Sequence, residues 1–323
     1  MKNKPTKVSQ ATNTEKRWLI FIDLDGTFLQ DSTTGHLNPS DVKAVEQMIK
    51  RGHIVCITTG RPWRSTAEIY RKLKLDTVVS NYNGAHIHNP SDYNFQPYIT
   101  NLNLNDVMYI LGDEELQKAT RNVAFEGPGW VQLQKRDPHL ENVFGFSSAP
   151  KFHVGLDFHK LPLKPTGVIV DTNQNVDIRK LLDYLKRRFG DLVEFSSWSK
   201  GDGLTPVIDM TRLGATKSKA VSLISRYYKV PVYQTISIGD GYNDIPMFLT
   251  TEISVAMANA SDDIKSFATW ITSKSHKEGG VAEFLELFLA DQDGKFVENL
   301  RRVRTKKYSA RHELNPFHQI HPD

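Results

Sequence analysis

Short apolar runs alternate with amphipathic helical patterns through the first quarter of the chain. Residues 18–22 (WLIFI) form an apolar run, and residues 38–52 place Val42, Val45 and Ile49 at helical spacing before Gly52. A second apolar run at 53–58, a helical pattern at 65–75 and a third run at 77–87 follow. This βαβαβ order predicts a parallel sheet covered by helices on both faces.

The pattern changes in the middle of the chain and then returns. Residues 90–150 are rich in Asn, Gly, Pro and aromatic residues, and the segments that follow predict an α+β insert. The predicted elements are a helix at 104–117, a strand at 130–135, strands at 151–158 and 167–171, a helix at 176–190, and strands at 192–198 and 206–211. A helix at 215–228 and a strand at 233–239 restore the βα order, so a second domain interrupts one sheet.

These patterns divide the chain into five segments. We expect an α/β core made of residues 17–87 and 212–289, with an α+β cap domain inserted at 88–211. Residues 1–16 are predicted to be a disordered N-terminal tail, and residues 290–323 a basic C-terminal extension.

Composition narrows the class of protein. The 323 residues are long enough for two domains, and 39% of them are hydrophobic, as in globular proteins. The single cysteine, Cys56, cannot form an intrachain disulfide, so the cytoplasm is the expected location. The first 16 residues lack the apolar stretch of a signal peptide, and no run approaches the ~20 apolar residues of a membrane span.

The positive net charge comes from one end of the chain. Residues 301–311 contain six Arg or Lys and no acid, and subtracting six from the net charge of +4 leaves −2 for the rest. A near-neutral body with a basic end is typical of an enzyme with a solvated extension, and it makes nucleic acid an unlikely partner. We therefore expect residues 290–323 to be peripheral to catalysis and to fold stability.

Candidate chemistry lies at the ends of predicted strands and at the start of one helix. The residues are Asp23, Asp25, Thr59, Gly60, Lys217, Asp240, Asn243 and Asp244. Ligands collect at the carboxyl ends of strands in open parallel sheets, and we expect the first, third and 233–239 strands to be neighbours. Three carboxylates could then surround one Mg²⁺, which prefers hard oxygen ligands and a substrate phosphate. Lys217 would add a fixed positive charge and Thr59 a hydroxyl group, so the set predicts a phosphate clamp.

Four of these stretches resemble the motifs of the haloacid dehalogenase (HAD) superfamily, in the right order. They are DLDGT at 23–27, TTGR at 58–61, Lys217 in GATKSKA at 214–220, and GDGYNDIPM at 239–247. SNYNGAHI at 80–87 and the large insert are similar to the Cof-type branch, which contains sugar-phosphate phosphatases with a type IIB cap. The resemblance covers about residues 17–289. It implies a Mg²⁺-dependent phosphohydrolase with a Rossmann-like core and a mobile cap of type C2B.

The resemblance also implies a role for each matching residue. Asp23 would be the nucleophile that forms an aspartyl-phosphate, and Asp25 the group that protonates the leaving oxygen and later takes a proton from water. The Asp23 carboxylate, the Asp25 main-chain carbonyl and Asp240 would bind Mg²⁺. The phosphoryl group would contact the main chain at Leu24 and the residues Thr59, Gly60, Lys217 and Asn243. Asp244 would support Lys217 or a metal-bound water.

Several alternatives stay open at this point. Arg61 could contact substrate or pair with a core carboxylate, and we favour the pairing. The histidines His86, His88, His153 and His159 lack metal-ligand spacing and are interpreted as structural. A phosphomutase would use the same two aspartates, and a regulatory binding protein could use the basic tail. No motif in the insert selects among sugar phosphates, phosphorylated cofactors and nucleotides, and none indicates an oligomeric state.

Overall fold

The computed structural model describes residues 17–157, 164–198 and 205–314. The predicted tail at 1–16 and the strand end at Phe158 lie outside these residues, as does His159. No helix within the described ranges has the length and apolar character needed to span a membrane.

The first part of the core follows the order that the apolar pattern predicts. Its elements are β1 (Leu19–Ile22), β2 (Leu29–Asp31), β3 (His36–Leu37), α1 (Pro39–Lys50), β4 (Ile54–Ile57), α2 (Trp63–Lys72) and β5 (Val79–Asn81). Asn38 starts α1 because its side chain accepts a hydrogen bond from the Ser40 amide at 3.0 Å. Val45 is buried as expected, whereas Ile49 is 37% exposed.

The insert contains more strands than the sequence pattern indicates. Its elements are β6 (His86–His88), β7 (Tyr98–Ile99), α3 (Leu104–Leu111), α4 (Glu114–Ala119), β8 (Thr120–Gly127), β9 (Trp130–Leu133), α5 (Pro138–Val143), β10 (Lys151–Val154), β11 (Gly167–Thr172), α6 (Ile178–Phe189), β12 (Val193–Trp198) and β13 (Val207–Arg212). The helix predicted over 104–117 is two helices, because Asp113 caps the second by accepting from the amides of Glu115 and Leu116, both at 3.1 Å.

The chain then returns to the core. The elements are α7 (Lys217–Tyr228), β14 (Thr235–Gly239), α8 (Ile245–Thr250), β15 (Ile253–Ala256), α9 (Asp262–Lys265), β16 (Trp270–Ile271), α10 (Gly280–Ala290) and α11 (Lys295–Leu314). The core sheet is parallel, with the strand order β16-β15-β14-β1-β4. One face packs on a cluster that includes residues of α1 and α10, and the other on a cluster that includes residues of α7 and α8. The α/β fold class with a parallel sheet is therefore confirmed.

The prediction of which strands lie beside β1 is partly wrong. We expected the third strand beside it, but β1 pairs with β4 on one side and β14 on the other. The third strand, β5, lies beyond β4 through a single parallel bridge between Thr58 and Ser80. It then pairs with β6, so this segment leaves the core sheet and leads into the insert. The apolar pattern gives strand order along the chain, whereas pairing depends on how the helices pack between strands.

The insert is built on a six-stranded sheet with the order β10-β9-β8-β11-β13-β12. One face packs against apolar residues of α3, α4 and α6. Because alternate residues face opposite sides of a sheet, Glu126, Asp209 and Ser196 share the other face, which lies toward the core. This α+β domain between two halves of a parallel sheet confirms the inserted cap, although its boundaries at 88–211 stay a prediction.

The C-terminal extension differs from the expectation. Residues Lys295–Leu314 form α11, and Leu300 on this helix is only 3% exposed within the main hydrophobic core. Phe296 packs edge-on against Trp270, with ring centroids 5.2 Å apart. Phe296, Val297 and Leu300 have helical spacing, and this apolar stripe anchors the helix. The interpretation of 290–323 as a solvated extension is therefore wrong for this helix.

The basic residues of α11 also have a structural role. Arg304 donates to the carbonyl of Leu249 at 3.2 Å, and the Tyr308 hydroxyl donates to the same carbonyl. Leu249 lies in the last turn of α8, where carbonyl groups lack partners within the helix and attract positive charge. Lys307 donates to the carbonyl of Ser266, at the end of α9, at 3.1 Å. Part of the charge that seemed free in the sequence therefore binds the ends of core helices.

Because Leu300 is buried in the core, we expect Leu300→Ala to lower the free energy of unfolding by about 2–4 kcal/mol. A chain ending at Gly294 should melt several degrees lower than the full chain, since it loses this contact and the helix-end hydrogen bonds. Thermal and denaturant unfolding measure both effects. Val303→Ala on the exposed side of α11 is the control and should change stability by less than about 0.5 kcal/mol. An unchanged melting temperature in the shortened chain would contradict a structural role for α11.

The stacked pair formed by His86 and His88 should make the protein less stable in acid. Their rings stack 4.2 Å apart, and burial lowers the pKa of His86 to about 3 and of His88 to about 4. The unfolded chain binds protons from about pH 6.5 downward, whereas the folded chain binds them only near pH 4 and below. The free energy of unfolding should therefore fall as pH drops from about 6.5 to 4.

His86→Phe should make this fall shallower, because Phe keeps a stacking ring and cannot bind a proton. Urea unfolding at a series of pH values measures the slope. His36→Phe, at an exposed position, is the control and should keep the parent slope. If His86→Phe also keeps it, the stacked pair is not a source of the acid sensitivity.

Candidate active site

The first predicted site residues meet around a buried lysine. Lys217 is fully buried, and its Nζ donates to Asp23 Oδ1 and to Asp244 Oδ1, both at 2.6 Å. Asp23 follows β1 and Lys217 begins α7, where Thr216 is the N-cap residue. Residues 194 positions apart are therefore in direct contact. The ion pairs compensate for burial, and the net effect raises the pKa of Lys217 above its ordinary range.

Asp23, Asp240 and Asp244 form an acidic cluster. Each of them offers a carboxylate oxygen within 4.8 Å of the others, and no other such group occurs in the described part of the chain. Burial raises the pKa of Asp23 to about 7 against the opposing effect of Lys217, and raises the pKa of Asp240 well above its ordinary value. Asp23 and Asp244 are buried and Asp240 is half-buried, and three carboxylates at this spacing need more positive charge than one lysine supplies. Hard oxygen donors of this kind fit a divalent cation.

Two glycines bring the backbone close to this cluster. A Cβ at Gly26, whose φ is +71°, would lie 2.2 Å from Asp240 Oδ2, and one at Gly239 would lie 2.4 Å from Asp244 Cγ. Neither position admits a side chain without displacing a carboxylate. Asp240 is held further by the Thr27 hydroxyl, which donates to its Oδ1 at 2.7 Å. The small residues of the DLDGT and GDG stretches therefore set the spacing of the acids.

Asp244 is fixed by main-chain donors. Its Oδ2 accepts hydrogen bonds from the amides of Asp240 at 2.9 Å and Gly241 at 2.8 Å, while its Oδ1 faces Lys217. It is completely buried. This geometry places Asp244 next to Lys217, which the sequence predicted it to support, and also in the acidic cluster, where the sequence did not predict a metal ligand.

The Asp25 side chain has a different partner. Arg61 donates to Asp25 Oδ2 from Nε at 2.8 Å and to Asp25 Oδ1 from Nη2 at 2.6 Å. The favoured pairing of Arg61 with a core carboxylate is therefore what the structure shows, and that carboxylate is the predicted acid–base group. The side chain of Asp25 is not in the acidic cluster, and its main-chain carbonyl stays a predicted metal ligand.

Three of the predicted phosphate-binding residues, Leu24, Thr59 and Gly60, lie in the loops that follow β1 and β4. Thr59 donates its amide to Ser80 at 2.9 Å, and its hydroxyl accepts from the Arg61 amide at 3.1 Å. A Cβ at Gly60 would lie 3.3 Å from Asn83 Oδ1. Leu24 is fully buried, and its carbonyl accepts from the Leu29 amide at 2.8 Å. That the Leu24 amide and these groups bind phosphate stays a prediction.

Asn243 is hydrogen-bonded to Asn83, which was not among the site residues predicted from the sequence. Its Nδ2 donates to Asn83 Oδ1 at 3.0 Å, and Asn83 is only 4% exposed. Asn83 has a φ of +52°. The adjacent Gly84 is also constrained, since a Cβ there would lie 2.3 Å from the Thr216 carbonyl. The Asn-Gly pair in SNYNGAHI was the available signal, because this pair favours left-handed backbone.

A cavity of about 360 Å³ lies between the core and the cap. On the core side it is lined by Asn83, Lys217 and Asn243, and on the cap side by residues of α6 and β12 such as Lys186 and Ser196. Elsewhere between the two domains, a buried ion pair joins Arg64 of the core to Glu126 of the cap. Burial and the nearby Glu126 raise the pKa of Asp209, on the same cap face, to about 8. The site can therefore enclose a small anionic molecule between two polar surfaces.

Comparison with known proteins identifies the family. Residues 20–285 match the family model of haloacid dehalogenase-like hydrolases. The chain belongs to this family. A Metamycoplasma hominis protein named as a phosphatase of the upp 3′ region is 52% identical over 272 residues, which cover 84% of this chain and 96% of that protein. The 5-amino-6-(5-phospho-D-ribitylamino)uracil phosphatase YitU of Bacillus subtilis is 32% identical over 85% of this chain and 98% of its own length.

The fold of this HAD protein also matches solved structures. The HAD subclass IIB sugar phosphatase BT4131 superposes with a TM-score of 0.68 at 21% identity, covering 84% of this chain and 98% of that one. The resemblance to Cof-type, subclass IIB phosphatases is therefore confirmed. The chain is a HAD-type phosphatase.

The buried lysine gives a prediction about both stability and ligand binding. Lys217→Met should lower the free energy of unfolding at neutral pH by about 3–5 kcal/mol, because it leaves Asp23 and Asp244 buried without a counter-charge. It should also weaken phosphate binding for every substrate alike. Denaturant unfolding and KM values measure the two effects, with Lys219→Met on the exposed side of α7 as control. A variant as stable as the parent would show that the acids do not depend on this lysine.

Proposed function

We propose that this chain is a Mg²⁺-dependent phosphohydrolase for small, hydroxyl-rich phosphate esters such as sugar phosphates, working through an aspartyl-phosphate on Asp23. One observation carries the proposal: the Lys217 ammonium contacts both Asp23 and Asp244 at 2.6 Å, and Lys217 is one of the residues that line the cavity between core and cap. A phosphate in that cavity would therefore meet a positive charge and a carboxylate together.

Asp23 is the proposed nucleophile. Lys217 holds its Oδ1, which orients the carboxylate so that its other oxygen can attack phosphorus. Asp23, Asp240 and the main-chain carbonyl of Asp25 would hold Mg²⁺, with Asp244 close to it. When bound, the ion offsets the repulsion between the anionic nucleophile and the anionic phosphate. The bond from phosphorus to the leaving oxygen breaks as the bond from Asp23 forms.

Asp25 is the proposed acid–base group. It would give a proton to the leaving oxygen and then take one from the water that hydrolyses the aspartyl-phosphate. Arg61 donates to both oxygens of Asp25, which fixes the orientation of the side chain.

The phosphoryl oxygens would be held by donors that surround the cluster. We assign this role to the Leu24 and Gly60 amides, the Thr59 hydroxyl, the Lys217 ammonium and the Asn243 amide. Lys217 and Asn243 line the cavity together, which supports their part of the assignment. Closure of the cap over this group would exclude water until the hydrolysis step.

The substrate class is inferred from the cap and the relatives. Ser196 and Ser197 line the cavity with the Lys186 side chain, and such groups can hydrogen-bond to hydroxyls. YitU is named for a phosphoribitylamino uracil, whose ribityl chain carries several hydroxyls. A sugar or alditol phosphate suits both observations. The cytoplasmic location stays a prediction.

Replacement of the two aspartates should separate their roles. Asp23→Asn should abolish turnover, because the amide keeps the shape but cannot act as a nucleophile. Asp25→Asn should leave slow turnover that depends on the leaving group, with activated aryl phosphates least affected, since they need little proton donation. Phosphate release from a panel of sugar phosphates and p-nitrophenyl phosphate, with Mg²⁺ and with EDTA, measures these effects.

The parent should lose activity in EDTA and regain it when Mg²⁺ is added in excess. More than trace release by Asp23→Asn would overturn the nucleophile assignment. An equal loss for all substrates in Asp25→Asn would mean that Asp25 has a role other than acid–base catalysis.

A further inference from the structure

The turn formed by Tyr82, Asn83 and Gly84 connects the predicted motifs to the cap. The Asn83 amide donates to the Thr59 carbonyl at 3.0 Å, and its side chain lies against Gly60. Gly84 packs against the Thr216 carbonyl, next to Lys217. A three-residue turn thus contacts the loop that follows β4 and the start of α7.

The side-chain oxygen of Asn83 makes a hydrogen bond on the core side. Its Oδ1 accepts from Asn243 Nδ2 at 3.0 Å. Asn243 cannot rotate its amide group without breaking this bond, so Asn83 fixes the direction in which Asn243 presents its own polar atoms. Both residues line the same cavity.

The side-chain nitrogen of Asn83 makes hydrogen bonds on the cap side. Its Nδ2 donates to Asp209 Oδ2 at 2.8 Å and to Ser196 Oγ at 2.9 Å. Asp209 is 2% exposed and sits on β13, while Ser196 sits opposite it on β12. One amide nitrogen therefore has both of its hydrogens directed to the cap sheet.

The hydrogen bonds of Asn83 on the core side and on the cap side depend on each other. The acceptors on the cap hold the amide nitrogen of Asn83 toward the cap, and this leaves the oxygen toward Asn243. If the cap sheet moves away, Asn83 loses both acceptors and can turn, and Asn243 then loses its fixed partner. If phosphate binding favours the seated position of the cap, then seating of the cap must strengthen phosphate binding by the same factor.

We propose that Asn83 is a positioning residue that couples the seating of the cap to phosphate binding, by holding Asn243 only while Asp209 and Ser196 are in place. The inference rests on the proposed function, in which Asn243 contacts the phosphoryl group. It predicts that two cap residues with no predicted phosphate contact change the affinity for inorganic phosphate.

The test is a set of binding measurements that need no turnover. Inorganic phosphate is titrated by calorimetry, with Mg²⁺ present, into the parent, Asn83→Gly, Ser196→Ala/Asp209→Ala and the triple variant. Glycine suits the φ of +52° at position 83, so Asn83→Gly removes the side-chain hydrogen bonds to the core and to the cap without backbone strain. Asn175→Gly is the matched control, because Asn175 also has a positive φ, +69°, but lies exposed on the cap.

We expect Asn83→Gly to raise the dissociation constant at least fivefold and the cap double variant to raise it at least threefold. The triple variant should equal Asn83→Gly within twofold, since the cap residues act through Asn83. Asn175→Gly should match the parent. If the effects of the two changes multiply in the triple variant, or if the cap double variant binds phosphate like the parent, the coupling is wrong.

Melting temperatures check that each variant is folded. If the double variant fails to fold, Ser196→Ala alone replaces it and should raise the dissociation constant at least twofold, with no further rise in an Asn83→Gly background. A parent that binds no phosphate and hydrolyses no ester would overturn the proposed function as well. A parent that hydrolyses esters while Asn83→Gly binds phosphate normally would overturn only the coupling.

Discussion

The contact of Lys217 with Asp23 and Asp244 is the interaction on which the site depends. All three groups are buried, and a buried carboxylate without a counter-charge would favour its protonated form or destabilise the fold. The lysine lies at the N-terminus of α7 and the two acids follow β1 and β14. The position of one helix relative to two adjacent strands therefore determines whether the site exists. Asp240 adds a third acid that one lysine cannot neutralise, and a divalent cation would supply the remaining charge.

The polar face of the cap gives the enzyme a second constraint. Where this sheet face meets the core it carries Glu126, Asp209 and Ser196, whereas Ala124, Ile169 and Val207 on the same face belong to an apolar cluster with Leu140 of α5. Arg64 pairs with Glu126, and Asn83 donates to Asp209 and Ser196. Polar contacts of this kind can exchange with water when domains separate, whereas a large apolar interface could not open without exposing its surface. The cap face therefore suits a domain that must admit substrate and release product.

Helix α11 shows how a surface charge pattern can be misread. Its basic residues include side chains that donate to carbonyls at the ends of α8 and α9. Helix α8 begins directly after Asp244, so α11 braces the far end of the element that carries part of the site. The helix lies beyond residues 20–285, which match the family model. It is an addition to the shared fold, attached through both an apolar stripe and helix-end hydrogen bonds. These inward-facing basic groups are therefore engaged within the chain.

The sequence by itself determined the fold class and most of the residues that meet around Lys217. The apolar pattern depends on local periodicity, and Asp23, Lys217 and Asp240 stand at strand ends or helix starts, where parallel sheets collect ligands. Only the tertiary structure decided which partners these residues have. Asp25 pairs with Arg61, Asp244 joins the acidic cluster, and Asn83 connects Asn243 with the cap. These contacts join residues far apart in the chain, and they depend on the packing of helices and domains rather than on any short-range pattern.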